Sequence, residues 1–560
     1  MLRGRMVFAA FSRAAALLRA ELVRPARIVW LLAWLPIVWL AVSQIGLMGD
    51  FRIDDAYITF SFSKNLASGN GPTFSYGLRV EGYSNFLWML LTALGYLFAP
   101  RADPYLTARG FSLLAVAFIA VVVYRLVRRA SSSSLPAFLA VALTFACSDL
   151  FRAAYSGIET AAFAAAIIGG WYAYFSEPPE ARKWSLCAFL PAALLRIDGF
   201  VPLLIAVGFE VLSAFNERRF SIKVLARWVA PAFAVWALYF AWRYAYYGLP
   251  LPSTYYAKNM VTANDPQRGV NQLWGFVHDY GLVAFLPVAL APLFWGPRRE
   301  ASALWTAIVL QLGYAVHVGG DWMPFQRFFL PIVPLGAVLA GMGLDRIFRN
   351  LRGLRWAIAW PLRGGSVALL VFVAVHMHAA SVDSAEERDK LGLVRHTETH
   401  TQRNLIDNAD LMRHVLRRPG ERLVTDYAGV FSVMTDAAII DQWGLCTADI
   451  ALHGGISGIN PIYGKECAAC YARLDPDYFH VVVPIVRGEN SFRNQREVID
   501  AIFQGWAIDR FIDLQHKFVV GRVIENATGR TLWFLEKNRP NLSYALRQPA
   551  PGLRIDYPFL

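Results

Sequence analysis

Charge and cysteine are both scarce in this sequence. Only 17% of its 560 residues are Asp, Glu, Lys or Arg, and only five are cysteine. A soluble globular chain carries about 25% charged residues, and a disulfide scaffold carries more than about 8% cysteine, so neither class fits. Apolar residues make up 56% of the chain, which excludes disorder as well. The composition therefore predicts a polytopic α-helical membrane protein, and the 14% aromatic residues suit buried and membrane-interface positions.

The charged residues are distributed unevenly. Residues 383–560 hold 21 Lys and Arg against 23 Asp and Glu, which leaves 33 and 18 for residues 1–382, an excess of +15. All long apolar runs also precede residue 383. We therefore predict a membrane domain over 1–382 and a soluble α/β domain over 383–560. The overall charge of +13 is attributed to basic cytoplasmic loops, so no nucleic-acid partner is expected.

The apolar runs predict about 11 membrane spans in the inner membrane. Six arginines precede the first run, Ile28–Met48, and place the N-terminus in the cytoplasm. Because no small-residue cleavage motif follows, we interpret this run as an uncleaved anchor before an extracytoplasmic first loop, residues 49–82. The other apolar runs lie near 83–99, 110–127, 134–148, 157–176, 184–214, 226–247, 278–295, 302–319, 328–343 and 366–382.

Two features leave the span count open. Run 184–214 is interrupted by Leu195–Gly199, and counting it twice would give 12 spans. With 11 spans the C-terminal domain is extracytoplasmic, but Arg125, Arg128 and Arg129 then lie on the outer side, against the positive-inside rule. A re-entrant piece within 83–214 would remove this conflict.

The soluble part alternates between helical and strand patterns. Helices are predicted at 402–417 and 494–504, and strands at 421–426, 437–441, 478–484, 517–523 and 531–536. This alternation is typical of a small α/β domain.

Three cysteines lie in this soluble part. In an oxidising compartment we expect one disulfide, from Cys446 to Cys467 or Cys470. Their spacing together with His453 matches no standard zinc site, so a packing or disulfide role is favoured over a metal.

The first loop carries adjacent carboxylates, Asp54 and Asp55, shortly after the first span. Repulsion between neighbouring carboxylates raises the pKa of one of them, which suits a general base. The alternative is a solvated or helix-capping pair. Further along, Arg79 and Glu81 could bind a polyol or pair with each other.

Later loops add cations. Lys258 follows a tyrosine- and proline-rich stretch and suits a phosphate. Arg327 begins a span on the outer side, where a bidentate phosphate contact would explain it. Arg196 lies two residues before Asp198, and the alternative for this pair is an ion pair that neutralises itself.

Carboxylates, cations and aromatic residues beside lipid suit sugar transfer from a polyprenyl phosphate. In such a reaction a carboxylate meets the acceptor hydroxyl and cations hold the leaving phosphate. A flippase for a lipid-linked sugar is the competing class, but it would need charges along a path through the spans. Most candidate charges here lie in outer loops, which favours an enzyme.

Several of these motifs resemble a known family. Asp54–Thr59, Asn65–Pro72 and Val80–Trp88 together resemble the first-loop signature of the AftB-type arabinofuranosyltransferases, which have the GT-C fold. Other stretches are similar to later motifs of that family: Tyr246–Lys258, Gly319–Arg327, Arg196–Gly199 with Ile in place of Pro, Asp426–Gly429 and Asp441–Leu445.

The resemblance implies a decaprenyl-phosphate-type arabinofuranose donor, and it implies that an acidic residue of the Asp54–Asp55 pair is catalytic. It also implies an acceptor in the cell envelope. The segment Cys446–Cys470 departs from the family pattern, which leaves the acceptor open between a glycan and a surface protein such as a pilin. Transfer of another sugar, such as aminoarabinose to lipid A or a hexose to protein, is the runner-up.

The predicted site follows from these motifs. We expect Asp54 and Asp55 to be catalytic and Lys258, Arg327 and Arg196 to bind the donor phosphate. Neither a cofactor nor a metal is required, although the Asp pair could hold a divalent cation. The expected substrate contacts are Tyr57, Arg79, Glu81, Tyr255, Tyr256, His317, Asp321 and Trp322.

Overall fold

The structure is a computed structural model, and it shows a helical bundle joined to a mixed sheet. It describes residues 26–48, 51–177, 185–216, 222–261, 266–321, 326–390, 397–453, 455–456, 465–466, 468–480, 494–495, 497, 517–528, 530–539 and 550–558. The helices of the bundle and its loops are α1 (Ala26–Met48), α2 (Asp54–Ala67), α3 (Phe86–Phe98), α4 (Pro104–Ala130), α5 (Leu135–Ala146), α6 (Ser148–Tyr155), α7 (Thr160–Ser176), α8 (Leu190–Leu195), α9 (Phe200–Asn216), α10 (Ile222–Tyr247), α11 (Ser253–Val261), α12 (Pro266–Asp279), α13 (Leu282–Trp295), α14 (Arg298–His317), α15 (Ile332–Asn350) and α16 (Trp356–Lys390).

The C-terminal part, which we call the sheet domain, begins with helix α17. Its helices are α17 (Thr397–Val415), α18 (Ala428–Met434), α19 (Ala448–His453) and α20 (Ala468–Leu474). Its strands are β1 (Arg422–Thr425), β2 (Ala438–Asp441), β3 (Gly455–Ile456), β4 (Lys465–Glu466), β5 (Tyr478–His480), β6 (Phe518–Glu525), β7 (Thr531–Lys537) and β8 (Leu553–Asp556).

Length and apolar composition identify membrane-crossing helices. Within the described ranges, Pro104–Ala130, Ile197–Asn216 and Trp356–Ala380 each meet the requirements for a span. Two bent pairs, α5 with α6 at 57° and α12 with α13 at 86°, would each add one. The chain is therefore a helical membrane protein, while the count of about 11 spans stays a prediction.

Hydrogen bonds show which helix ends lie together at one end of the bundle. Ser131 Oγ donates to Asp345 Oδ1 at 2.8 Å, and Arg349 donates to the carbonyl oxygen of Ala130 at 3.1 Å. The turn after α4 therefore lies beside the C-terminal end of α15. We call this the basic end of the bundle, because both segments carry several arginines.

Helix α3 starts and finishes near the opposite end, which we call the loop end. Near its start, Trp88 Nε1 donates to the carbonyl oxygen of Gly157 at 2.9 Å. Shortly after its finish, Tyr105 packs against the same Gly157, where a Cβ would lie 2.7 Å from the tyrosine ring. Near its finish, a Cβ at Gly95 would lie 2.2 Å from Oγ1 of Thr107 in the first turn of α4, so both ends of this 13-residue helix lie close to the loop end. The re-entrant piece within 83–214 stays a prediction.

The sheet has six strands in the order β2-β1-β5-β7-β6-β8. Strand β1 pairs in parallel with β2 and β5, and β7, β6 and β8 continue the sheet in antiparallel fashion. Four predicted strands are present with their ends shifted by at most two residues, and the strand predicted at 478–484 is present at 478–480, its remaining residues lying outside the described part of the chain. Helix α17 overlaps the predicted helix at 402–417. Strand β8 and the short β3–β4 pair were not predicted, and most of the helix predicted at 494–504 lies outside the described residues.

The bundle and the sheet domain share one apolar core. Buried side chains of the first loop, such as Phe62 and Phe74, belong to the same cluster as Phe431 and Ile439 of the sheet domain. Contact between the two parts is therefore part of the fold.

One cysteine prediction is wrong. Cys470 forms a disulfide, but Cys446 is a free, buried thiol. Its sulfur packs against the first loop, where a Cβ at Gly82 would lie 2.3 Å from Sγ. Cys446 is thus held in the contact between the two parts instead of in a disulfide, and Cys467 lies outside the described residues.

Candidate active site

Asp54 begins α2 and faces the first turn of α18 in the sheet domain. Its Oδ1 accepts the N–H of Val430 at 2.8 Å, and its Oδ2 accepts the N–H of Gly429 at 3.1 Å. Free amides at a helix start carry partial positive charge, which a carboxylate neutralises. The helix-capping alternative is therefore realised, but the capped helix lies about 375 residues further along the chain.

Asp54 has the raised pKa that the sequence indicated for one member of the pair, with a different main cause. The pKa of Asp54 is raised from 3.8 to about 7, mainly by burial; the amides of Val430 and Gly429 oppose the rise, and the charges of Asp55 and Asp441 add to it. Desolvation disfavours the charged form of any buried acid. The adjacent carboxylate is thus a secondary contributor.

The sheet domain contributes two more carboxyl groups at the same junction. Asp426 directly follows β1 and Asp441 ends β2, so both lie at the carboxyl edge of parallel strands, where α/β sheets bind ligands. Burial raises the pKa of Asp426 to about 7 and that of Asp441 to about 6. Asp441 accepts the amides of Trp443 and Cys446 at 2.9 and 2.8 Å, which shapes the following turn. Neither Asp426 nor Asp441 was predicted as a site residue, although both lie in stretches, 426–429 and 441–445, that resemble family motifs.

Arg196 lies between α8 and α9 and is buried. Its Nε donates to Asp198 Oδ1 at 2.9 Å, and its Nη1 lies 3.7 Å from Glu159 Oε1. The predicted self-neutralising ion pair is present, and Glu159 gives the group one negative charge in excess. Glu159 was missed, although a lone acid beside an apolar run is itself a signal of a buried polar role.

A chain of hydrogen bonds connects this group to the first loop. Thr59 Oγ1 donates to Asn85 Oδ1 at 3.2 Å, and Asn85 Nδ2 donates to Glu159 Oε2 at 2.8 Å. Thr59 lies four residues after Asp55, hence on the same face of α2. We call the set Asp54, Asp55, Thr59, Asn85, Glu159 and Arg196 the polar assembly.

Arg327 is brought close to Arg196. The two guanidinium groups lie 5.4 and 4.7 Å from the centroid of the Phe328 ring. Arg327 also forms an ion pair with the buried Asp321. Two of the three predicted phosphate-binding cations therefore flank one aromatic ring.

Arg79 and Glu81 have separate partners. Glu81 is buried, and both of its carboxylate oxygens lie 3.0 Å from Nε of Arg243. Arg79 is exposed, with its guanidinium 5.3 Å from the centroid of Tyr246. The partner of Glu81 is thus Arg243 instead of Arg79, and Arg79 remains accessible at the loop surface.

The remaining predicted contacts are scattered around the loop end. The Tyr57 hydroxyl accepts from Arg52 at 3.2 Å and is buried. Tyr255 is exposed and packs edge to face with Tyr256, with ring centroids 5.7 Å apart. His317 is exposed at the end of α14.

Two predicted residues lie at the edge of what the structure describes. Lys258 belongs to α11, which packs against α19 of the sheet domain, but its side chain is outside the description. Trp322 falls within the undescribed range 322–325. Across the described part of the chain, no three His, Cys, Asp or Glu side chains are arranged to hold a metal ion.

The sequence is similar to that of a characterised glycosyltransferase. The terminal β-(1→2)-arabinofuranosyltransferase of Mycobacterium tuberculosis is 27% identical over 358 residues. This chain resembles an arabinofuranosyltransferase. The family resemblance indicated by the motifs is thereby confirmed, over 55% of this chain and 55% of the relative. No protein-family model matches the sequence.

Solved structures support the architecture. ArnT from Cupriavidus metallidurans, crystallised with undecaprenyl phosphate, matches with a TM-score of 0.50 at 12% identity, covering 80% of this chain and 92% of ArnT. The apo form of ArnT matches with a TM-score of 0.47 at 13% identity, covering 82% and 94%. At such identity the first likeness establishes the fold alone, and the expected GT-C fold is confirmed.

Proposed function

We propose that this chain is a membrane glycosyltransferase that moves arabinofuranose from a polyprenyl phosphate to a hydroxyl of a cell-envelope glycan or surface protein. The observation that carries the proposal is the polar assembly, in which Thr59, one helical turn after Asp55, is connected through Asn85 and Glu159 to Arg196 at one end of an ArnT-like bundle. The sugar is inferred from the arabinofuranosyltransferase relative.

Transfer of the sugar to a hydroxyl requires a general base for the hydroxyl proton and a group that stabilises the leaving phosphate. The acceptor oxygen forms a bond to the anomeric carbon as the bond from that carbon to the phosphate oxygen breaks. The hydroxyl proton passes to a carboxylate of the Asp54–Asp55 pair, and the polyprenyl phosphate leaves as an anion. A carboxylate within hydrogen-bond reach of the acceptor hydroxyl can serve as this general base.

Arginines suit the departing phosphate. Arg196 and Arg327 flank Phe328, and each already faces a carboxylate, Asp198 or Asp321. A phosphate would therefore share these cations with fixed acids, and Lys258 is the further cation proposed for it. Negative charge developing on the leaving group strengthens such contacts in the transition state.

The loop end is proposed to face the periplasm. Segments 128–131 and 345–349 lie together at the basic end, which suits the cytoplasmic side under the positive-inside rule. Because the sheet domain packs on the first loop at the other end, it would be periplasmic. An integral inner-membrane location follows.

The test supplies membranes containing this chain with radiolabelled decaprenyl-phosphoryl-arabinofuranose and follows label passing into non-lipid envelope material. We expect transfer by the wild type, and loss of at least about 100-fold in Asp55→Asn, the range lost when a general base is removed. Asp279→Asn, a change at an exposed acid, should keep the wild-type rate. Wild-type transfer from a hexose-phosphate lipid and not from the arabinose donor would overturn the donor assignment.

A further inference from the structure

The first loop binds the sheet domain at several points along its length. Besides the Asp54 contact, Lys64 Nζ donates to the carbonyl oxygen of Val433 at 2.9 Å. The amide of Ile439 donates to Ser75 Oγ at 2.9 Å, at the entry to the parallel half of the sheet. The first loop therefore contacts both α18 and β2 of the sheet domain.

The contacts of Asp54 and Lys64 act on the two ends of one helix. Asp54 accepts amides in the first turn of α18, and Lys64 donates to a carbonyl in its last turn. A helix carries partial positive charge at its start and partial negative charge at its end, so both charges are placed favourably. No side chain of the sheet domain caps the start of α18, so Asp54 supplies that cap, while at the end of the helix Lys64 acts together with Thr435, whose Oγ1 donates to the carbonyl oxygen of Phe431 at 2.7 Å.

The approach of the two helices leaves no room for a side chain. A Cβ at Gly429 would lie 2.1 Å from the backbone oxygen of Asp54 and 2.9 Å from its Oδ1. Real Cβ atoms do not come so close to backbone, so only glycine permits this contact. The junction is thus built for contact at Asp54.

These contacts give the carboxylates of Asp54 and Asp55 different surroundings. Each oxygen of Asp54 already accepts a backbone N–H, and a proton added to Asp54 would weaken these two charge-assisted contacts. Asp55 is the next residue of the same helix, rotated by about 100° from Asp54. Its carboxylate lies at the same junction, where its charge raises the pKa of Asp441 and of Cys446, whereas the amides of Gly429 and Val430 are bound by Asp54.

We propose that the pair divides the work: Asp54 is a positioning residue that fastens the sheet domain to the first loop, and Asp55 is the base that takes the acceptor proton. This inference rests on the proposed glycosyl transfer for the role of Asp55, whereas the fastening role of Asp54 is independent of any activity. Fastening also fixes the start of α2, so it orients Asp55 toward the reacting groups.

The fastening is tested on the full chain in detergent, without any substrate. The readout is alkylation of Cys446, a buried thiol packed on Gly82, located by peptide mass spectrometry. Asp54→Asn should speed alkylation by about tenfold or more, because the amide nitrogen of Asn cannot accept the second N–H. Lys64→Met, which keeps every carboxylate whose charge acts on Cys446, should act in the same direction. Asp55→Asn removes one such charge without breaking the amide contacts of Asp54, so it should speed alkylation less than Asp54→Asn does.

The same variants are then assayed for sugar transfer against pH. Asp54→Asn should retain measurable transfer and keep the acidic limb of the kcat/KM profile, since the titrating base is still present. Hydrogen exchange in β6 and β7 verifies that each variant is folded. The fastening role of Asp54 is overturned if the folded Asp54→Asn variant shows an unchanged rate of Cys446 alkylation.

The assignment of Asp55 as the base is overturned if Asp54→Asn loses sugar transfer as completely as Asp55→Asn does, or if Asp54→Asn loses the acidic limb of the pH profile. If the wild type transfers no arabinose, the proposed function fails while the alkylation result still decides the role of Asp54.

Discussion

At the scale of single residues, arginine–carboxylate pairs recur inside an apolar bundle. Such pairs satisfy each other where water is absent, and removing one partner leaves a buried charge without compensation. The pairs are Arg152–Asp149, Arg196–Asp198, Arg243–Glu81, Arg299–Glu210, Arg327–Asp321 and Arg349–Asp345.

The Arg243–Glu81 pair gives a prediction about stability. Arg243→Met should lower the free energy of unfolding by about 3–5 kcal/mol, because Glu81 stays buried without its counter-charge. Thermal unfolding in detergent measures the change. Arg101→Met, at an exposed arginine, should stay within about 0.5 kcal/mol of the wild type.

A second variant separates the charge from the packing. Glu81→Gln combined with Arg243→Met should recover part of the loss, because no buried carboxylate is then left unpaired. If the double variant is as unstable as the sum of the two single variants, the pair contributes no coupling and this account of it is incorrect.

At the scale of elements, α18 shows what local sequence does not contain. The strands around it were predicted because short apolar runs between polar residues mark them. Helix α18 was not predicted, since its caps are Asp54 and Lys64 from the other end of the chain. Similarly, α3 has the apolar composition of a span, and only its contacts with Gly157 near its start and with Thr107 near its finish show that both of its ends lie close to the loop end.

The residues of the candidate site could likewise be predicted from local sequence, but their partners could not. Asp54, Asp55 and Arg196 could be singled out because charge beside an apolar run is costly and conspicuous. The chemical environment of each could not, because it depends on partners distant in sequence: Val430 for Asp54, and Glu159 for Arg196.

The packing of α2 on α18 predicts contrasting effects at two helical glycines. Gly429→Ala should destabilise the chain by about 1–3 kcal/mol and expose Cys446 to alkylation, because the new methyl group overlaps Asp54. Gly208→Ala, in α9 with no neighbour within 4 Å, should stabilise by up to about 1 kcal/mol. Equal effects of the two changes would show that the close approach at Gly429 is relieved without cost.

At the scale of the whole molecule, the junction places several titratable groups with shifted pKa values between the bundle and the sheet domain. Burial raises the pKa of Asp54 and Asp426 to about 7 and of Asp441 to about 6. Burial also lowers the pKa of His480, at the end of β5, to about 3. Burial and nearby carboxylates raise the pKa of Cys446, so this thiol stays neutral at neutral pH.

These shifts set the sign of the pH dependence. Each of the three carboxyl groups binds a proton more tightly when folded than at its ordinary pKa of 3.8, so the free energy of unfolding falls as pH rises from about 4 to about 7. His480 acts in the opposite sense, since the unfolded chain takes up a proton below its ordinary pKa of 6.5. Because three groups oppose one, we expect stability to fall by on the order of 1 kcal/mol or more per pH unit between pH 4.5 and 6.5.

Calorimetric unfolding of the full chain across this pH range measures the slope. Asp54→Asn should make the slope shallower, because one of the three shifted carboxyl groups is gone, and His480→Gln should make it steeper, because the opposing group is gone. Asp55 and Asp441, whose charges act on Asp54, are retained in both variants, so the comparison isolates the substituted group. A stability that rises with pH across this range in the wild type would show that the buried carboxyl groups are ionised in the folded chain at little cost, and that the amides of Gly429 and Val430 outweigh burial at Asp54.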